Sequence, residues 1–78
     1  MIGNIDKCRQ VSIKELIGTT NNKINCVFHD ERTPSLVLYD DGGYHCYGCS
    51  KNGANAIDFL IDLGASFNEA ILELNKYI

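Results

Sequence analysis

Two pairs of metal-binding side chains dominate the chain. Cys26 and His29 stand three positions apart, as do Cys46 and Cys49, and residues 30–45 separate the pairs. Thiolate and imidazole are the ligands a tetrahedral zinc ion takes, at roughly 2.0–2.3 Å, and two ligands three apart can grip one ion from a single tight turn. Two such turns joined by a hairpin-sized insert have the spacing of a structural zinc ribbon, in which the metal clamps the ends of a small sheet. The expected site is one zinc held by Cys26, His29, Cys46 and Cys49. His45 adjoins Cys46, and the alternation of a strand turns it away from the metal, so His29 is the expected imidazole ligand. Four protein ligands close the coordination sphere and leave no position for a reactive water, which argues against metal-assisted hydrolysis.

Such a site needs elements to hold it, and the chain is short. Its 78 residues fit one domain (1–78), of a size at which an apolar core alone is marginal and a staple is expected. No apolar run with a basic flank marks a secretory leader, so a reducing, cytoplasmic setting is expected, where clustered cysteines bind metal rather than pair. No stretch is apolar enough to span a membrane. Cys8 has no local partner and reads as a spare thiol. The net charge of −3, with seven Lys and Arg, excludes broad electrostatic attraction to phosphate, so any nucleic-acid contact must be local and rely on stacking or on a partner.

The expected fold is α+β: a small zinc ribbon, built on an antiparallel hairpin with zinc knuckles and flanked by short helices. Residues 1–11 show no period and read as an N-terminal arm, mobile at its start. Ser12 and Glu15 form a capping-box pair, with Val11 and Leu16 as staple partners, opening a short helix that stops at Gly18. The ribbon spans 23–49. Within it, Lys23 to Cys26 reads as a strand and Ser35 to Tyr39 as a second. Asp40-Asp41-Gly42-Gly43 is a turn, and Tyr44 to Tyr47 returns antiparallel. Gly48 is expected to take the left-handed conformation that brings backbone N–H groups to the thiolates. Residues 53–78 carry two helices, one starting near Gly53 to Asn55 and ending at Gly64. The other opens on a Ser66–Glu69 capping box and carries Phe67, Ala70, Ile71, Leu74 and Tyr77. Their apolar stripes are expected core.

The run Cys26 to Ser35, followed by Tyr44-His45-Cys46-Tyr47-Gly48-Cys49 and by Gly53 with Ala56-Ile57-Asp58-Phe59, resembles the zinc-binding domain of bacterial and phage DnaG-type DNA primases. That resemblance implies the same four ligands, and a domain that engages single-stranded template and works in DNA replication with a polymerase domain that makes the primer. Arg32 stands where the family usually has lysine and Val27 where it has proline. Ser50 to Asn55 replaces a shorter glycine-rich run, which alters the turn into the following helix. A polymerase centre needs a magnesium-binding carboxylate cluster. The acidic residues here are scattered on solvated faces, so no catalytic residue is expected and the chain is not expected to be an enzyme by itself.

Two roles follow. In the favoured one, the chain is a free-standing, zinc-dependent module, as in a phage or mobile element, that binds single-stranded DNA in trans with a separately encoded primase polymerase or replicative helicase. Arg32, Tyr39, Tyr44, His45, Tyr47 and Lys51 then supply rings and cations to the strand. In the other, the ribbon is structural and the chain is a regulatory module that binds a replication protein. Cross-strand packing would equally account for Tyr39 and Tyr44, strand exposure for His45, and pairing with Asp30 or Glu31 for Arg32.

Overall fold

The computed structural model describes residues 5–28 and 34–78. Four short strands form one antiparallel sheet in the order β1 (Lys23–Ile24), β2 (Leu36–Leu38), β3 (Tyr44–Cys46), β4 (Asn52–Gly53). The β2–β3 hairpin forms as expected, with Leu36 opposite Cys46, Val37 opposite His45 and Leu38 opposite Tyr44. Its turn closes through Tyr39 N–H to the Gly43 carbonyl at 2.9 Å and Gly42 N–H to the Tyr39 carbonyl at 3.1 Å. Gly42 sits at φ +96°, a conformation that costs glycine nothing and other residues a steric clash.

The register sorts the strand side chains into two sets. Ile24, Leu36 and Cys46 lie across one row, and Leu38, Tyr44 and Gly53 across another, on the inner face. The row between them, Lys23, Val37, His45 and Asn52, faces out. Leu36, Leu38, Tyr44 and Cys46 are accordingly buried, while Val37 and His45 are half-exposed.

Helices α1 (Ile5–Gln10), α2 (Ile13–Ile17), α3 (Ala56–Asp62) and α4 (Phe67–Leu74) surround that inner face, and a 3-10 turn (Asn75–Tyr77) follows. The expected arm is therefore largely helix. Cys8, read from the sequence as spare, is wholly buried in the core, and its thiol donates weakly to the Ile71 carbonyl on α4 at 3.9 Å. Burial raises its pKa, which keeps it a neutral thiol. A helix this short holds its shape by tertiary packing rather than by propensity, which is why no period announced it. Residues 1–4, where a mobile start was expected, lie outside the described residues.

Of the two capping boxes expected, one forms. Ser12 is the N-cap of α2, but its side chain makes no cap hydrogen bond, so the Ser12–Glu15 box is not formed. The Ser66–Glu69 box is formed, with Glu69 N–H to Ser66 Oγ at 3.2 Å and Ser66 N–H to Glu69 Oε1 at 2.9 Å. Those bonds hold the Glu69 carboxyl below its ordinary pKa. Asn55 caps α3 by accepting from Ile57 and Asp58 N–H at 3.0 and 3.1 Å.

Candidate metal centre and sheet face

The three cysteines arrive from three places. Cys26 follows β1, Cys46 ends β3, and Cys49 lies in the turn after it. The turn is closed by Ser50 N–H to the Cys46 carbonyl at 2.9 Å and by Cys46 N–H to the Lys51 carbonyl at 2.7 Å. The left-handed residue here is Ser50, at φ +65°, and not Gly48 as expected. The N–H groups of Gly48 and Cys49 nevertheless count among the causes that lower the Cys46 pKa, without a left-handed glycine.

Cys26, Cys46 and Cys49 bring their Sγ atoms within 4.8 Å of one another, and none of the three is in a disulfide. The Cys26–Cys49 separation is 3.7 Å. Two sulfurs bound at 2.3 Å and at the tetrahedral angle would stand about 3.8 Å apart, so the donor set fits zinc in both chemistry and spacing. Phe28 N–H points at Cys26 Sγ at 3.3 Å, and Ser35 Oγ lies 3.3 Å from Cys46 Sγ. Burial pushes the Cys46 thiol up, but hydrogen bonds from Ser35, the Cys49 N–H, Cys26 and the Gly48 N–H outweigh it and bring the pKa down to about 6. A thiol biased toward thiolate is prepared for a metal. His29, the expected fourth ligand, and Arg32, an expected strand contact, lie outside the described residues.

The side chains expected to contact nucleic acid divide between the two faces. Tyr39 and Tyr47 are 43% and 68% exposed, and their hydroxyls meet at 3.2 Å. That bond raises the Tyr39 pKa, keeping the phenol neutral. His45 stands edge-on to Tyr47, with ring centroids 4.4 Å apart. Lys51 is exposed beside the second knuckle. Together Tyr39, His45 and Tyr47 give an outer surface of three rings.

Tyr44 is a correction. It is 1% exposed and packs edge-to-face on Phe59 at 5.2 Å, with Phe28 5.9 Å away, so no base can stack on it. Its hydroxyl donates to Asp62 Oδ2 at 2.5 Å, tying β3 to α3. Desolvation first, and then the Asp62 carboxylate, raise its pKa far above the phenol range. Strand β4, which the sequence reading missed, is shaped by this ring. A Cβ at Gly53 would stand 2.7 Å from Tyr44 Cε1 and Oη and from Asp58 Cβ, so only glycine lets β4 close over the tyrosine.

Comparison with known proteins agrees with this geometry. The sequence model of the CHC2 zinc finger, the zinc ribbon of DnaG, matches residues 6–78. The DNA primase of Chlamydia trachomatis is 54% identical over 56 residues, covering 69% of this chain and 9% of that protein. The DNA primase of Buchnera aphidicola is 41% identical over 75 residues, 83% of this chain and 13% of that one. The Escherichia coli DNA primase is 45% identical over 51 residues, 63% and 9% respectively. The chain thus spans about a tenth of the length of the curated relatives it matches. With a matching sequence over nearly its whole length and three sulfurs converging on one point, this chain belongs to the CHC2 zinc-finger family of DnaG-type primases.

Proposed function

We propose that this chain is a non-catalytic, zinc-dependent module that contacts single-stranded template in replication priming and acts in trans with a primase polymerase or replicative helicase. One structural zinc is held by Cys26, His29, Cys46 and Cys49. The zinc fixes the ends of the sheet; it does no chemistry on substrate. The observation that carries the reading is the outer sheet face. Tyr39 and Tyr47 lie exposed with their hydroxyls in contact, and the half-exposed His45 stands edge-on to Tyr47, an arrangement of rings on which bases stack without regard to sequence. Few cations accompany the rings, so the module alone binds weakly and depends on its partner for residence on the strand.

The test is fluorescence anisotropy with a labelled single-stranded oligonucleotide, followed by primer synthesis with and without this chain added to a primase polymerase. The chain alone should bind weakly and make no primer. Adding it should raise primer yield, and Arg32→Ala should lower that yield while leaving zinc bound. Equal yields with and without the chain, and no strand binding by the pair, would reject this reading in favour of a protein-docking role. Exposed Ile61, Leu63, Phe67 and Leu72 on and beside α3 and α4 would serve such a role.

A further inference from the structure

We infer that Ser35 is a positioning residue of the metal centre, whose hydroxyl donates a hydrogen bond to the Cys46 thiolate and sets how tightly that sulfur holds zinc. Ser35 Oγ lies 3.3 Å from Cys46 Sγ. A metal-bound thiolate carries no proton, so the hydroxyl must be the donor. The serine is also fixed from a second side, because its carbonyl accepts the Tyr47 N–H at 2.9 Å. Ser35 sits just outside β2, where its side chain is not bound to the alternation of the pleat and can turn toward the sulfur.

Burial makes the contact matter. Cys46 is 0% exposed, so water cannot solvate the negative sulfur, and the charge needs donors from the protein. The backbone N–H groups of Gly48 and Cys49, which help lower the Cys46 pKa, would be there with any side chains in the knuckle. The Ser35 hydroxyl differs because it is written in the sequence and can be removed by one substitution. Donors of this kind, bonded to a ligand rather than to the metal, are typically worth about 10–100-fold in metal affinity.

The inference rests on zinc being held by the cysteine cluster, and the experiment separates the two. Zinc affinity is measured by chelator competition on the full chain, with cobalt(II) as a spectroscopic substitute. Failure of the wild-type chain to bind zinc would reject the metal reading itself. With wild-type binding established, Ser35→Ala should lose about 10–100-fold in zinc affinity. Its sulfur-to-cobalt charge-transfer band should move to lower energy, because an unshielded thiolate gives up electron density more readily. Ser35→Thr, which keeps the hydroxyl, should restore both. Wild-type affinity and band position in Ser35→Ala would overturn the inference. Equal weakening in the alanine and threonine variants would also overturn it, since the serine would then act by shape. Should Ser35→Ala not fold at saturating zinc, the threonine variant decides alone: near wild-type affinity and band position uphold the donor role, and a loss of 10-fold or more rejects it.

Discussion

The two faces of one four-stranded sheet serve opposite ends. Along β3, Tyr44 and Cys46 point inward, to Phe59, Asp62 and the sulfur cluster, while His45 between them points out beside Tyr47. Residues one position apart therefore answer to different demands. The inner set builds the fold and the metal centre; the outer set is free to meet a partner. A sheet this small can separate the two because pleating sends neighbouring side chains to opposite sides. Stability and strand binding should accordingly be breakable one at a time.

The largest effect lies at the metal. Cys46→Ser should release zinc and abolish cooperative unfolding, because in a domain of this size metal-binding energy is folding energy, about 10–16 kcal/mol in zinc-finger peptides. Chelation of the wild-type chain should do the same, followed by circular dichroism and metal analysis. A metal-free chain that kept its unfolding transition would show that the inner face does not need the ion. Next is Tyr44→Ala, which empties a buried aromatic site and should cost about 3–5 kcal/mol in chemical denaturation. Tyr47→Ala, on the other face, should change stability by no more than about 0.5 kcal/mol. It should instead weaken single-strand binding by about 1–3 kcal/mol for each base stacked on the ring. If Tyr47→Ala unfolded the protein, or Tyr44→Ala left it stable, the division between the faces would fail.

What the sequence disclosed follows the same division. The hairpin, the helix starts near Asn55 and at Ser66 and the grouping of the cysteines were legible because each is written in residues close together: turn formers, a capping box and paired ligand-type residues. The helix around Cys8 was not, since six residues without a period acquire their structure from the α3 and α4 surfaces they bury against. Nor was β4, because Asn52-Gly53 has the composition of a turn and is a strand only through its pairing with β3. Tyr44 is the instructive case. The alternation that sends His45 away from the metal also places Tyr44, two positions before Cys46, on the ligand's own side. Reading that period through the whole strand would have assigned the tyrosine to the core.

Tyr44→Phe sharpens the comparison by removing one atom from the inner face. The ring packing survives, but Asp62 loses its donor, and a hydrogen bond to a carboxylate contributes about 1.5–3 kcal/mol. The advantage of tyrosine over phenylalanine should depend on pH. The folded-state phenol has a pKa raised above the ordinary value of 10.0. Its contribution is therefore complete below about pH 10 and lost as pH rises beyond that. Denaturation of the two variants across that range measures the difference directly, and a gap that did not narrow would mean that the hydroxyl bond is not what tyrosine contributes.

The smallest effect belongs to the matching change on the outer face. Tyr39→Phe also deletes a phenol hydroxyl from a hydrogen bond, here the 3.2 Å contact with Tyr47, but this pair lies in solvent. Water replaces the lost partner, so stability should move by no more than about 0.5 kcal/mol. Strand affinity should stay near the wild-type value as well, because stacking uses the ring face and not the hydroxyl. Unchanged stability with a large loss of binding would show that the Tyr39–Tyr47 bond holds the two rings in the pose the strand requires. The outer face would then be a preorganised surface, as rigid in its own way as the inner one, and not a pair of independent rings.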